Sequence, residues 1–202
     1  MSQSKKNILL MMTGSIACYK ACTIVSKLVQ LNYNVKVVMS ESSLKFVGAA
    51  TIEGLTGEKV LTSLYEPGHM MDHIHLNRWA DLILVAPATA NYINRIAAGM
   101  GDDLLTTLFL AHDFKRPFLI APAMNTMMYL HPTTAGSVKK LKDMNIEILE
   151  TASGVLACGE VGVGRLLEPG LIIAEIQMRL EPTRIDKINI RVLITSGGTT
   201  EP

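Results

Sequence analysis

The chain has 202 residues, a formal net charge of +1 and 49% hydrophobic residues. Its basic and acidic residues are interspersed, which excludes the basic surface typical of nucleic-acid-binding proteins. No apolar run approaches the roughly 20 residues that a membrane-spanning helix needs, so we expect a cytoplasmic protein without a membrane partner. Three cysteines are too few for a disulfide framework. Cys18 and Cys22, four residues apart on a predicted helix, are expected to be packing residues.

Apolar runs alternate with segments of helical spacing along most of the chain. Strands are predicted at 7–12, 35–39, 81–86, 117–121 and 146–149, and helices at 16–31, 41–55, 102–111, 134–144 and 171–180. The strands are apolar throughout, which is typical of a parallel sheet with helices on both faces. We therefore predict an α/β fold, a Rossmann-like (flavodoxin-like) doubly wound sheet. The glycine-rich segment 151–169 lacks a regular period, and a loop of that length is predicted to be either a functional flap or disordered.

The end of the chain repeats the pattern of its beginning. A break at 181–183 is followed by an apolar run at 190–195 and a glycine turn at 196–202. We interpret residues 1–188 as one domain and residues 189–202 as the first strand and glycine turn of a truncated second α/β domain. An edge strand of the first domain is the alternative.

Small residues, several of them polar, follow three of the predicted strands. They are Gly14, Ser15 and Ile16, then Ser40 and Ser43, and finally Ala88, Thr89 and Asn91. Such loops can meet at the carboxyl edge of the sheet, where a helix N-terminus binds an anion. The chain has no Gly-x-Gly-x-x-Gly fingerprint and no Walker lysine, which favours a mononucleotide such as FMN. On spacing alone, however, helix capping explains the Ser and Thr residues better.

Three other segments carry His73, Asn125 and Cys158. His73 and His75 alternate in a predicted loop, so only one of them is expected to face a site. The Asn125 amide can donate two hydrogen bonds to a carboxylate, although the residue could equally cap the next helix. Cys158 places a thiol in the flap, where it can exchange a proton. Two His without carboxylate or Cys partners predict no metal site.

Together these motifs resemble the homo-oligomeric flavin-containing cysteine decarboxylases over essentially the whole chain. The matching segments are His73-Ile74-His75-Leu76, Pro122-Ala123-Met124-Asn125-Thr126-Met127-Met128 and Leu156-Ala157-Cys158-Gly159. Within that family the chain is most similar to the phosphopantothenoylcysteine decarboxylases that are fused to a phosphopantothenate–cysteine ligase. Residues 190–202 resemble the opening of the ligase half, which favours truncation over an edge strand.

The resemblance implies an FMN-dependent carboxy-lyase of coenzyme A biosynthesis that converts 4'-phosphopantothenoylcysteine to 4'-phosphopantetheine. The substrate would pass through a transient thioaldehyde and an enethiol, without net redox change. His73 would perform acid–base catalysis, Asn125 and Met128 would hold the substrate, and Cys158 would bind it and protonate the reduced carbon. The family also implies trimers that assemble into a dodecamer. Rival functions on the same fold are a flavin prenyltransferase, a peptidyl-cysteine decarboxylase and a non-catalytic regulatory flavoprotein.

Overall fold

The computed structural model of the protein describes residues 5–64, 71–155, 159 and 161–181. Its central strands are β1 (Asn7–Met12), β2 (Asn34–Met39), β3 (Leu82–Ala88), β4 (Phe118–Pro122) and β5 (Glu147–Ile148). They form a parallel sheet in the order β2-β1-β3-β4-β5. This is the strand order of a flavodoxin-like fold, so the predicted doubly wound architecture is confirmed.

Helices cover both faces of the sheet. The helices of the described residues are α1 (Cys18–Gln30), α2 (Ala49–Thr56), α3 (Asp72–Trp79), α4 (Ala90–Ala97), α5 (Leu104–Leu110), α6 (Thr126–Leu130), α7 (Pro132–Asp143) and α8 (Pro169–Leu180). All of them except α6 contribute buried residues to the two cores. One core lies between the sheet and α1, α2 and α8, and the other between the sheet and α3, α4, α5 and α7. In β1, Ile8 and Leu10 enter the first core while Leu9 and Met11 enter the second. Because successive side chains point to opposite faces, a strand buried on both sides must be apolar at every position.

The prediction of one continuous helix over residues 41–55 is wrong. The segment divides into a single 3-10 turn at Ser43–Lys45 and the helix α2, with extended backbone at Gly48 between them. The Ser43 hydroxyl donates a hydrogen bond to the Ser40 carbonyl at 2.7 Å, and this local bond competes with helix formation.

The segment that carries His73 was predicted as a loop, and this prediction is also wrong. It forms α3, in which the Asn77 side-chain amide donates to the carbonyls of His73 at 2.8 Å and Leu108 at 2.9 Å. These bonds fix α3 against α5. Residues two apart on a helix are separated by about 200° around its axis, so His73 and His75 still lie on different sides.

The glycine-rich segment after β5 is more regular than its sequence suggests. It contains an antiparallel pair, β6 (Ala152–Val155) and β7 (Val161–Arg165), with a register shift between Ala152 and Gly154. Gly154 and Gly164 have φ values of +151° and +105°, which residues with a side chain rarely adopt. Because these positions require glycine, the sequence lacks the alternation of apolar and polar residues that usually indicates a hairpin. Cys158, at the predicted centre of the flap, lies outside the described residues.

Cys18 and Cys22 lie in the core on one face of α1, so their predicted packing role is confirmed. Cys18 is fully buried, and its thiol donates to the Thr13 carbonyl at 3.3 Å. Burial raises the pKa of both thiols above its ordinary value, which keeps them protonated near neutral pH.

His112, just after α5, makes the stability of the fold depend on pH. It is 5% exposed, its ring packs edge-on against Phe114 and Phe118, and its Nδ1 accepts a hydrogen bond from the Phe114 amide at 3.2 Å. Burial lowers the pKa of His112. Below about pH 6.5 the unfolded chain therefore binds a proton that the folded chain does not, and the free energy of unfolding decreases as the pH falls.

The expected contribution of His112 is at most about 1.4 kcal/mol per pH unit. Urea unfolding between pH 7.5 and pH 5.5 would measure it. The variant His112→Asn keeps a hydrogen-bond acceptor near the Nδ1 position but cannot titrate, so its stability should depend less steeply on pH in this range. Equal slopes for the two proteins would contradict the prediction.

Candidate active site

A cavity of about 830 Å³ opens at the carboxyl edge of the sheet. The residues that follow β1, β2, β3 and β4 contribute to its lining, among them Thr13, Ser40, Thr89 and Ala123. The helix that follows β1 packs on one face of the sheet and the helix that follows β3 packs on the other, although the two strands are neighbours. The crevice between them is the topological switch point, where sheets of this kind bind ligands.

The loop after β1 lies in close contact with the loop after β2. A Cβ atom added at Gly14 would lie 2.4 Å from the Ser42 Cβ, so the loops after β1 and β2 pack directly on each other. The Ser15 hydroxyl accepts a hydrogen bond from the Ala17 amide at 3.2 Å, and α1 then begins without a side-chain cap at its N-cap residue. An uncapped helix N-terminus beside a glycine and a serine fits a phosphate group.

Thr13 joins the ends of β1 and β3. Its hydroxyl donates to the Pro87 carbonyl at 2.7 Å and accepts from the Thr89 amide at 2.9 Å. The Thr89 hydroxyl in turn accepts from the Tyr92 amide and caps α4. The predicted capping role of Thr89 is thus confirmed, and the same residue also lines the cavity, so capping and site lining do not exclude each other.

Most of the residues predicted to bind the cofactor line this cavity. They are Gly14, Ser15, Ile16, Ser40, Thr89 and Asn91. Ser43 and Ala88 are fully buried and are not among the lining residues. Ser43 holds the shape of the loop through its hydrogen bonds to Ser40, and Ala88 is a strand residue that packs in the core.

One wall of the cavity is charged, which sequence analysis missed. The Arg95 guanidinium pairs with Asp102 and, at 2.7 Å, with Asp103, which caps α5. The bond from Arg95 lowers the pKa of Asp102, and burial raises the pKa of Tyr92 well above its ordinary value. The buried Tyr92 hydroxyl has no hydrogen-bond partner among the described residues. The sequence signal that was overlooked is an Asp pair immediately before a helix, seven residues after an Arg.

Asn125 sits in the turn after β4, beside the cavity. Its side-chain oxygen accepts a hydrogen bond from the Met127 amide at 2.7 Å and caps α6, so the capping alternative is confirmed. The neighbouring residues Met124 and Met128 line the cavity, and Met128 is more than half exposed. The turn that carries Asn125 therefore borders the same space as the phosphate-suited loops.

His73 does not line this cavity within one chain. It is half-buried on α3, and its Nδ1 atom is buried with no hydrogen-bond partner in the part of the chain that the structure describes. His75 is exposed. Within a single chain the structure thus gathers the strand-end loops and the Asn125 turn around one cavity but leaves His73 outside it.

No group of three or more His, Cys, Asp or Glu side chains in the described ranges is arranged to hold a metal ion. Among the described helices, none has the length and apolar character that crossing a membrane would require.

Comparison with known proteins shows the family to which the chain belongs. The model of the family described as Flavoprotein matches residues 1–181. The coenzyme A biosynthesis bifunctional protein CoaBC of Mycobacterium bovis is 43% identical over 200 residues, which cover 98% of this chain and 47% of the relative. The chain thus spans about half the length of the curated relatives it matches.

Solved structures from the same family also match the chain. A cysteine-to-serine mutant of PPC decarboxylase complexed with pantothenoylaminoethenethiol has a TM-score of 0.78 and 31% identity, over 88% of this chain and 100% of that one. The FMN binding protein AtHal3 has a TM-score of 0.75 and 32% identity, over 87% and 96% of the two chains. On the family match, the shared fold and these identities, the chain belongs to the flavoprotein family that includes PPC decarboxylase.

Proposed function

We propose that this chain binds FMN and removes CO2 from 4'-phosphopantothenoylcysteine to give 4'-phosphopantetheine, a step of coenzyme A biosynthesis. The observation that carries the proposal is the shared cavity at the carboxyl edge of the sheet. Loops suited to a phosphate line one part of it, and the Asn125 turn, suited to a carboxylate, borders another. A volume of about 830 Å³ is within the range of small-molecule sites.

The cofactor site would be formed by the strand-end loops. Gly14 and Ser15 would bind the FMN phosphate at the start of α1, with Ile16, Ser40, Thr89 and Asn91 around the rest of the molecule. Ser43 and Ala88 would support these loops from the core. Bound FMN supplies a reversible two-electron oxidation of the substrate's thiol side chain, which makes loss of the neighbouring carboxylate as CO2 possible.

The protein's own groups would orient the substrate and move protons. The Asn125 amide would donate hydrogen bonds to the substrate carboxylate, and Met128 would shape the apolar part of the pocket. His73 would exchange a proton with the reacting cysteine unit, since one imidazole nitrogen can donate a proton and the other can accept one. Cys158 would protonate the carbon that is reduced in the last step.

We propose that copies of the chain complete the site, as trimers that assemble into a dodecamer. Large apolar side chains are exposed at the cavity: Ile16 and Phe46 are among its lining residues, and Met127 adjoins the lining residue Met128. Apolar surface of this kind marks protein interfaces. The position of His73 outside the single-chain cavity supports the same arrangement, because a second chain could bring an imidazole to it.

We also propose that the chain contains one complete domain and the beginning of a second. Residues 1–188 would form the decarboxylase and residues 189–202 would open a ligase domain; the latter range lies outside the described residues. A cytoplasmic location is supported by Cys18 and Cys22, which are free thiols as in a reducing compartment.

Mass spectrometry of 4'-phosphopantothenoylcysteine, after incubation with the FMN-loaded protein, tests the function. We expect loss of one CO2 and formation of 4'-phosphopantetheine. Unchanged substrate with FMN still bound would favour a regulatory flavoprotein or a flavin prenyltransferase. Protein that binds no FMN would contradict the cofactor assignment.

The Gly14 loop provides a separate test of the cofactor site. In Gly14→Ala the new Cβ would overlap Ser42 at its Cβ and main-chain atoms, so the two loops must separate. Overpacking of this kind costs about 1–3 kcal/mol, and we expect FMN to bind about 10- to 100-fold more weakly. Fluorescence titration with FMN measures the change. Gly54→Ala is the matched control, because Gly54 is exposed on α2 and an added Cβ would meet no atom within 4 Å apart from its neighbours and the backbone of its own helix. Equal FMN affinities in the wild-type protein and both variants would contradict the assignment.

A further inference from the structure

The turn that carries Asn125 is tied to β7 on both sides of that residue. The Met124 amide donates a hydrogen bond to the Gly164 carbonyl at 2.9 Å. The Thr126 hydroxyl donates to the Val163 carbonyl at 2.8 Å. Because β4 and β7 belong to different sheets, these bonds join the end of the central sheet to the hairpin.

Two glycines make this close contact possible. A Cβ atom added at Gly162 would lie 2.2 Å from the Thr126 hydroxyl oxygen, and one added at Gly164 would lie 2.6 Å from the Met124 carbonyl oxygen. Gly164 also has a φ of +105°, which other residues rarely adopt. At these two positions the backbone of the hairpin contacts the turn directly. A side chain at either position would push the two segments apart.

We propose that Thr126 is a positioning residue of the active site. Its hydroxyl, together with the Met124 amide, fixes the Asn125 turn against β7. The Asn125 side chain is held within the same turn by the Met127 amide, so a turn that is fixed as a unit determines the direction from which Asn125 meets the substrate. This inference rests on the proposed role of Asn125 in binding the substrate carboxylate.

Two variants separate the hydroxyl from the shape of the side chain. Thr126→Val keeps the volume and removes the donor, whereas Thr126→Ser keeps the donor and removes a methyl group. Amide hydrogen exchange of the peptide 122–130 in the FMN-loaded protein reports on the turn itself. Kinetics with 4'-phosphopantothenoylcysteine, and inhibition by the product 4'-phosphopantetheine, report on carboxylate binding, because only the substrate has that carboxylate.

In Thr126→Val we expect about 5-fold faster exchange of the peptide and a KM about 5- to 10-fold higher, the loss that one hydrogen bond predicts. kcat, FMN content and product inhibition should stay within about twofold of wild type, and Thr126→Ser should restore both changed values. Unchanged exchange in Thr126→Val, a Ser variant as impaired as the Val variant, or product binding weakened in parallel with the substrate would each overturn the inference. A wild-type protein that releases no CO2 would refute the proposed function instead, and the exchange data would still decide whether Thr126 fixes the turn.

Discussion

Replacing His73 by Asn is expected to lower the rate of CO2 release from 4'-phosphopantothenoylcysteine by about 100- to 10,000-fold, the usual contribution of a general acid–base group. An amide cannot exchange a proton near neutral pH, whereas an imidazole can. The helix that carries His73 should remain folded, because Asn77 anchors it through the main-chain carbonyls of His73 and Leu108 and not through the imidazole. FMN should also remain bound, since the strand-end loops that are proposed to hold it do not include His73.

His75→Asn is the matched control for this experiment. His75 lies two residues further along the same helix, on a different side, and is exposed. We expect its variant to keep the wild-type rate of CO2 release and the wild-type FMN content. A His73→Asn protein with more than a tenth of the wild-type rate would move the acid–base role to another residue. Equal losses in the two variants would show that α3 needs both rings for its structure.

The sheet could be predicted from the sequence because its strands are buried on both faces. A residue such as Leu9 packs in one core while its neighbour Leu10 packs in the other, so every position must be apolar. Once the strands are located, the order of the sheet follows the few topologies that parallel crossovers allow. The carboxyl edge, and with it the general location of the site, is then fixed.

Tertiary contacts account for the elements that sequence analysis missed. The hairpin has no alternating pattern, because Gly162 and Gly164 lie against the backbone and side chain of the Asn125 turn instead of presenting side chains to a core. The helix that carries His73 has few apolar residues, and its position depends on hydrogen bonds from Asn77. Local propensity contains neither kind of information.

The candidate site was predictable where one residue serves two purposes. Thr89 caps a helix and lines the cavity, and Asn125 caps a helix beside the cavity, so a strand-end pattern located both residues. The charged wall formed by Arg95 and Asp103 was not predictable in this way. Arg95 lies on α4 and Asp103 caps α5, and only the packing of α4 on α5 brings them to one side of the cavity.

The second large effect is expected at Asn125. We expect Asn125→Asp to lower kcat/KM for 4'-phosphopantothenoylcysteine by about 100- to 1,000-fold. A carboxylate at this position removes the amide donors, which are worth about 1.5–3 kcal/mol to a charged partner, and adds repulsion between like charges. The fold should not suffer, because Asp also accepts the hydrogen bond from the Met127 amide that caps α6. Steady-state kinetics together with thermal unfolding would measure both properties.

A control variant must distinguish the effect of a negative charge at the site from the effect of adding a negative charge anywhere on the protein. Asn145→Asp adds the same charge in the exposed turn before β5, at the opposite edge of the sheet, where the φ of +62° is one that Asp tolerates. Its kcat/KM should equal that of the wild-type protein. In Asn125→Asp, inhibition by 4'-phosphopantetheine should be nearly unchanged, because the product has lost the group that the new carboxylate repels. If substrate and product instead weaken together, Asn125 acts on a part of the ligand that they share, and the carboxylate must be bound elsewhere in the cavity.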